Sequence, residues 1–558
     1  ERLFCIRQNK HSRSFKALPE TKMTPTQALT TSAPTPPKPP ASAPKPPAPA
    51  PKPPSSTPPK EFIDYISKAG LTLLPHQIEG VNWCLSKEKD GFAYRPIQPH
   101  IRCGLIADEM GLGKTIQIIG TMLCNPKHRT LIVLPKALLS QWHKIIKTTT
   151  DLSVYVYHGT KREESIEKLK TYQVVITTYG LIATHSTNIN DPKNPTNRAP
   201  TTLHAISWSR VVFDEAHHMR NKTTAIHNGA KKLSAITRWL ITGTPIQNSI
   251  EDFHNLASIM GLKPSFYMDP DNTNIFIQHL LLKRTKAEVN LKLPKLVIHE
   301  TEVPWQNESE KRLAQEIHAR LKFSNACTPK NAKTTHRLPK SALPLLTRSR
   351  QICVLPVLTK KKLKQLKNLP TPDSVTETSE IPTDAETERF IDEATGHTSK
   401  LNAVIKQIIA NKSNGNDKLI FCHYHDEIDF IKIILKKADF ETHSFDGRTS
   451  QEDREKILSP TTTTPPKPKI LILQINTGCE GLNLQQYSEI YFISPHWNPA
   501  IEDQAIARAY RIGQEKETHV YRFNMAPFDT EKKTTTLDEH ANHIQETKRE
   551  VMKILDKT

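Results

Sequence analysis

No two of the eight cysteines, at positions 5, 84, 103, 124, 327, 353, 422 and 479, form a Cys-x-x-Cys pair. That argues against zinc ribbons, RING modules or any other zinc site, and no spacing suggests a disulfide framework. A reducing compartment is expected. The sequence also lacks a run of about eighteen apolar residues, so no membrane span is expected, and the N-terminus lacks a secretory h-region. Acidic residues are in deficit: 57 Asp and Glu face 77 Lys and Arg, a formal charge of +20. The first 60 residues hold ten Lys or Arg against two Glu, so most of the excess falls on the rest of the chain. A basic folded body favours a polyanionic partner, nucleic acid first, although a merely solvated surface fits the same count.

Proline, by contrast, is abundant and concentrated. Residues 34–59 contain 14 prolines among Ala, Ser, Thr and Lys, a composition that cannot bury enough apolar surface to offset its ordering entropy. Residues 1–60 are therefore read as a disordered, partly polyproline basic tail, a spacer before a ligand for proline-reading domains. The chain opens on Glu1, and Met23 follows a short basic stretch, as expected of a fragment or an extended reading frame; no function is read from residues 1–22.

At 558 residues the chain has room for two or three domains. Short apolar runs alternate with helix-length polar segments: Thr130–Pro135, Gln173–Thr178, Arg210–Glu215 and Arg238–Thr244, then Lys418–Cys422, Lys469–Gln474, Glu489–Ser494 and Thr518–Phe523. Strands apolar on both faces and separated by helices predict α/β lobes with parallel sheets covered on both sides. The expected division is a tail over 1–60, a first lobe over 61–300, an irregular helical linker with an acidic loop over 301–395, a second lobe over 396–530 and a C-terminal helix over 531–558. Within the linker, the cluster at 360–364 reads as a solvated basic face and the acidic run at 371–388 as a disordered loop.

Chemistry gathers at the ends of these strands. Asp108-Glu109-Met110-Gly111-Leu112-Gly113-Lys114-Thr115 follows the apolar run Gly104–Ala107 and opens a helix pattern. Gly111 and Gly113 let backbone N–H groups approach an anion, Lys114 reaches terminal phosphates and the Thr115 hydroxyl suits magnesium. The strict P-loop pattern fails, because Asp108 occupies its first glycine position; alone, the octet is equally a glycine-containing turn before a helix. Asp214-Glu215-Ala216-His217 ends a later strand, where Asp214 suits magnesium, through water, and Glu215 an attacking water. Further on, Arg508 and Arg511 are three apart, so on a helix they face one way and could both meet a γ-phosphate across a cleft.

Taken with Leu240–Asn248, Trp497–Pro499 through Gln514, Leu281–Lys286, Arg350–Cys353 and Thr477–Leu484, these stretches closely resemble the Swi/Snf-like ATPases of the DEAD-box-related helicase superfamily, in order from about Leu71 to Phe523. The Arg350–Cys353 block is similar to the compact repair and helicase-like transcription factor branch, here without a RING. The resemblance accounts for the irregular P-loop and implies two RecA-like lobes closing on ATP, magnesium and double-stranded DNA. By position Gln77 would read adenine. Asp108, Gly111, Leu112, Gly113, Lys114 and Thr115 would bind the nucleotide, with Thr115 and Asp214 at the metal, and Lys114, Asp214, Glu215, Arg508 and Arg511 would be catalytic. Thr242–Thr244 would couple hydrolysis to DNA contact, for which Lys136, Trp142, Thr177 and Thr178 are candidates. Ser494 replaces an aspartate frequent in the family, and Leu74 a basic or aromatic residue. The expectation is a double-stranded DNA translocase that remodels or displaces DNA-bound protein, nucleosomes among its possible targets, in a nucleus or at the replication or transcription site of a large DNA virus. A strand-separating DNA or RNA helicase and a non-catalytic DNA-binding scaffold are the alternatives.

Overall fold

The computed structural model describes residues 57–184, 200–319, 343–359, 398–458, 468–475, 482–528 and 535–556, with the single residues 321, 393 and 396. Most of the proline-rich tail, the 360–364 cluster, the acidic run 371–388 and most of Thr477–Leu484 lie outside these.

Among the described residues, fourteen strands form two sheets. The first contains β1 (Phe92–Tyr94), β2 (Gln98–Ile106), β3 (Thr130–Leu134), β4 (Val154–Tyr157), β5 (Val174–Thr178), β6 (Ser207–Asp214), β7 (Ser234–Ile241) and β8 (Leu281–Leu282). Their order is β1-β2-β7-β6-β3-β5-β4, with β8 also on β2; apart from β1, all pair in parallel. The second contains β9 (Leu296–Val303), β10 (Asp417–Cys422), β11 (Glu441–Phe445), β12 (Lys469–Gln474), β13 (Tyr487–Phe492) and β14 (Thr518–Met525), ordered β11-β12-β10-β13-β14-β9 and wholly parallel. This is the α/β architecture of two RecA-like lobes.

The continuous apolar runs follow from double-sided burial. Leu105, Leu131, Val175, Val211 and Leu240 point into one core of the first sheet, while their neighbours Ile106, Ile132, Ile176, Val212 and Ile241 point into the other. In the second sheet Ile420, Ile470, Ile472 and Tyr491 alternate in the same way with Leu419, Leu471, Leu473 and Ile490. The first core also holds a charge network: Arg210 Nε and Nη2 donate to Glu88 Oε1 and Oε2, each at 2.6 Å, and Trp239 Nε1 and Asn125 Nδ2 donate to the same carboxylate.

The sheets divide differently from the expected boundaries at 300 and 395. β9 begins at Leu296, yet it is the edge strand of the second sheet, paired with β14 from Leu296↔Thr518 to Val303↔Met525. Its half-exposed alternation, Ile298 at 49% exposure, gives it no continuous apolar run. The helices Glu308–Ala319 and Leu343–Val354, expected in a linker, contribute Leu313, Ile317, Ile352 and Val354 to the core of the second sheet. The C-terminal helix Leu537–Met552 joins the two lobes. Its Asp538 takes a 2.5 Å bond from buried Lys400, and Arg549 pairs with Asp503. Beyond it Leu555 enters the first lobe's core and Asp556 pairs with Lys283. Lys400 Nζ also donates to Ser494 Oγ at 3.0 Å, so this lysine ties Ser494 to Asp538 of the terminal helix. Among the described residues no helix is long and apolar enough to cross a membrane.

Candidate active site

The octet after β2 turns sharply because Gly111 and Gly113 take φ of 94° and 82°, open to glycine at little cost. Gly113 then caps the helix Lys114–Cys124, whose first N–H groups and dipole face the loop. A Cβ on Gly113 would sit 2.4 Å from Gln77 Nε2, so only glycine allows this approach. Leu112 is fully buried, and its carbonyl accepts from Gln77 Nε2 at 3.3 Å and lies 3.0 Å from His76 Nε2. Pro75 opens the helix that carries both side chains.

Lys114 Nζ donates to the carbonyls of Asp108 (2.7 Å) and Glu109 (3.4 Å). Burial lowers its pKa, against the opposing pull of Glu215, Asp108 and Asp214. Asp108 does not fit the expectation of a nucleotide-binding side chain. Its carboxylate is spent on Arg284, which donates from Nε at 3.0 Å and Nη2 at 2.6 Å, and on Gln117 Nε2 at 3.0 Å. That buried bidentate pair clamps the loop to the strand end at β8.

β6 ends at Asp214, and Glu215 follows directly. In the sheet it is separated from β2 only by β7, so both strand ends open into one crevice. Glu215 takes φ 50°, ψ 51°, a left-handed conformation that a non-glycine residue holds at a cost of about 1 kcal/mol or more and that commonly marks a functional position. Burial first, then Glu215, push the Asp214 pKa up, while a hydrogen bond from Trp142 opposes the rise. His217 is held well below its ordinary pKa by burial and is neutral near pH 7.

The second lobe meets this crevice. Asn498 caps the helix Pro499–Ala509 by accepting from Ala500 N, with Pro499 at the first position. From its end, Arg508 Nη2 reaches 3.5 Å from Glu215 Oε1. Arg511 packs on the phosphate loop, its Cβ 3.1 Å from where a Cβ on Gly111 would stand. A polar relay runs alongside: His217 Nδ1 lies 3.2 Å from Thr242 Oγ1, Thr244 N donates to Thr242 Oγ1, Gln247 Nε2 to Thr244 Oγ1, and Asn498 Nδ2 to Gln247 Oε1 at 3.1 Å across the lobes. Gly243 passes close to the loop; a Cβ there would lie 3.5 Å from Lys114 Nζ. Lys286, given no role from sequence, bridges the lobes, 3.0 Å from Glu109 Oε1 and donating to Tyr510 O at 3.0 Å.

Among the described residues, Gln77 Oε1, Glu215 Oε2 and Arg511 Nε are buried at the cleft without a hydrogen-bond partner, although His217 Nδ1 stands 3.4 Å from Glu215 Oε2. Such atoms are costly unless something else satisfies them. Two acceptors and a donor, spread from the Gln77 end to the lobe interface, match an adenine amino group, a water and a phosphate oxygen. Thr115 Oγ1 and the Asp214 carboxylate offer hard oxygen donors of the kind magnesium prefers.

The DNA-contact candidates separate. Lys136 is exposed, whereas Thr177 and Thr178 are 0% and 6% exposed, and Thr177 Oγ1 is engaged by Tyr157 O. Trp142 at 1% exposure presents no surface to DNA; its indole faces inward to Asp214.

The SNF2-related domain family matches residues 76–269 and the helicase conserved C-terminal domain matches 399–513. The probable global transactivator of Orgyia pseudotsugata multicapsid polyhedrosis virus is 28% identical, covering 81% of this chain and 86% of that protein. DNA repair protein RAD5B of Arabidopsis thaliana is 26% identical over 76% of this chain, which spans 43% of its length. Among solved structures, a Sulfolobus solfataricus SWI2/SNF2 ATPase core in complex with dsDNA is 20% identical, covering 87% of this chain and 97% of that one, with a TM-score of 0.35. Both matched domains occur here in order, one on each side of the cleft, and the chain belongs to the SNF2-related family of helicase-like, DNA-dependent ATPases.

Proposed function

We propose that the protein is a motor on double-stranded DNA that hydrolyses ATP to ADP and phosphate and uses the resulting lobe motion to displace or remodel protein bound to the duplex. The observation that carries this reading is the divided site, with Lys114, Asp214 and Glu215 on one lobe and Arg508 and Arg511 on the other, Arg508 standing 3.5 Å from Glu215. A site completed only by closure couples each hydrolysis to a change in lobe separation.

In this reading Gln77 accepts from the adenine amino group through the otherwise unsatisfied Oε1. Lys114 leaves the Asp108 and Glu109 carbonyls for the terminal phosphates, with the backbone of Gly111–Thr115 around them. Thr115 and Asp214 would hold magnesium, which would supply charge neutralisation at the phosphates. Glu215 orients the attacking water, Arg508 and Arg511 stabilise charge on the transferring phosphoryl group, and the Thr242–Thr244 relay reports its state to Asn498. Exposed Lys136 meets DNA phosphate.

The relatives include a probable global transactivator of a virus, a DNA repair protein and the ISWI chromatin-remodelling complex ATPase ISW2 of Saccharomyces cerevisiae, which supports a role in transcription, repair or remodelling. A nuclear site of action, or the site of replication or transcription of a large DNA virus, suits this chain equally.

The test is to compare triplex displacement with unwinding of a tailed duplex, alongside phosphate release with duplex, single strand, RNA and nucleosomes. Duplex-stimulated hydrolysis with third-strand displacement supports the motor. Robust separation of the duplex strands overturns it in favour of a helicase, and phosphate release unaffected by Glu215→Gln removes the assigned site.

A further inference from the structure

Asp214 is gripped from two sides by side chains that the reaction itself does not require. Trp142 Nε1 donates to its Oδ2 at 2.8 Å, and the Tyr179 hydroxyl donates to its backbone carbonyl at 2.6 Å. Its remaining oxygen, Oδ1, accepts from Glu215 N at 2.9 Å. The two donors come from different turns. Trp142 stands on the helix Leu139–Thr149, entered from the end of β3 through the turn Lys136–Leu138, whose Lys136 is exposed. Tyr179 begins the turn at the end of β5, directly after Thr178 and before exposed Gly180. Its ring stacks on His218 at 5.3 Å, and His218 on His217 at 4.8 Å.

An indole N–H can only donate, and its ring is wedged in the core beside Ile132, Ile176 and Val212, so its direction is set by packing. A carboxylate held by one such donor and one backbone N–H has little rotational freedom. Any shift of the Lys136 turn carries the helix and its indole with it, and a shift of the Thr178–Gly180 turn carries the phenol. Both turns lie at the carboxyl ends of strands adjacent in the sheet, the face on which the proposed function puts DNA.

We propose that Trp142 and Tyr179 are positioning residues that aim Asp214, and that through them the two turns transmit duplex binding to the hydrolytic centre. The inference rests on the duplex-motor reading for the location of DNA. It gives Trp142 a role other than the DNA contact expected from its place in the sequence.

The experiment uses the full chain with Trp142→Phe, which removes the N–H and keeps an aromatic ring, and Tyr179→Phe, which removes the hydroxyl alone. Four quantities are read: duplex affinity by anisotropy of a labelled oligonucleotide, turnover with and without saturating duplex, KM for ATP, and the magnesium concentration for half-maximal binding of a fluorescent ADP. Trp142→Phe is expected to bind duplex within about twofold of the unaltered protein and to keep KM within about threefold, while stimulation by saturating duplex falls about tenfold, the loss typical of one misdirected catalytic group. The magnesium midpoint rises by about tenfold or more, in the range seen for supporting residues around metal ligands. Tyr179→Phe moves the same quantities in the same direction.

Unchanged stimulation and magnesium midpoint in both variants, with duplex stimulation intact in the unaltered protein, overturn this inference and leave the motor reading standing. Weaker duplex affinity with full turnover at saturation also overturns it, since Trp142 would then serve DNA binding. No stimulation of the unaltered protein overturns the motor reading and the transmission step with it, and an unmoved magnesium midpoint then overturns the aiming of Asp214 as well.

Discussion

Replacing Lys286 with methionine removes a charge from the seam between the lobes while keeping the length and apolar bulk of the side chain. Three contacts are lost. The ammonium donates to Tyr510 O at 3.0 Å, sits 4.9 Å above the Tyr510 ring, and stands 3.0 Å from Glu109 Oε1. The first two cross the lobes. A hydrogen bond from a charged donor is worth about 1.5–3 kcal/mol and the cation–π contact about 0.5–1 kcal/mol. The pair with Glu109, whose side chain is 41% exposed, adds at most about 1 kcal/mol after screening and lies within one lobe. The closing equilibrium should therefore shift by about 2 kcal/mol, a factor of about 30. Lys286→Met is expected to lower duplex-stimulated kcat/KM by about that factor and to move a fluorophore pair across the lobes toward the open distance, with nucleotide affinity of the first lobe little changed. A kcat/KM within about twofold of the unaltered protein at unchanged lobe separation would refute the reasoning.

Other outcomes follow from other parts of the molecule. Glu88→Ala leaves Arg210, 1% exposed, charged and unpaired in the first core; chemical denaturation should show a loss of about 3–5 kcal/mol. Gln77→Ala removes the unsatisfied Oε1 and should raise KM for ATP about tenfold while narrowing the preference for ATP over GTP, measured as a ratio of kcat/KM values. Acidification should destabilise the fold. Burial lowers the pKa of His318, His496 and His540 to about 4. Below the ordinary histidine value the unfolded chain takes up these protons while the folded one does not, so stability is lost as pH falls from about 6.5 toward 4. Glu427, raised to about 7 by burial, works in the opposite direction and offsets part of this, as does the raised Asp214. Between pH 7 and 5.5 the three histidines cost about 4 kcal/mol and the two raised carboxyls return about 3 kcal/mol, so the net loss should be about 0.5–1 kcal/mol, read from denaturation midpoints in buffers of matched ionic strength; a gain of stability over this range would show that these histidines titrate normally in the folded state.

The doubly buried strands were legible because β3, β5, β6 and β7, and later β10, β12, β13 and β14, present apolar residues to both faces and leave continuous runs in the sequence. β9 was not, because Leu296–Val303 lies at a sheet edge, half exposed, where its alternation carries His299, Glu300 and Glu302. A strand belonging to the second sheet but preceding it by more than a hundred residues cannot be assigned from local pattern, since only its pairing with β14 reveals it. Within the site, Lys114, Asp214 and Arg508 could be named from residue type and spacing. The partners of Asp108 could not: nothing local joins it to Arg284, 176 positions away. Trp142 misled for a related reason. The resemblance alone suggested a DNA contact there, but helical geometry carries its indole back under the sheet to Asp214.

The terminal helix makes the same point at larger scale, and it bears on how the lobes move. It meets the second lobe through Lys400–Asp538 and Asp503–Arg549, Gln545 Nε2 donates to His496 O, and Lys548 Nζ donates to Trp497 O. Its far end packs Val551 and Leu555 against the first lobe's core. Trp497 and His496 directly precede Asn498, the residue that meets Gln247 across the cleft. Lobe opening that separates Asn498 from Gln247 must therefore bend this helix, shift it on His496 and Trp497, or pull Leu555 out of its apolar site. Burying a leucine side chain is worth about 1.5–3 kcal/mol, comparable to the Lys286 contacts on the other side of the seam. Opening is thus opposed on two sides by terms of similar size, each small enough for nucleotide or DNA binding to overcome. That balance is what the proposed motor, cycling between two arrangements, requires.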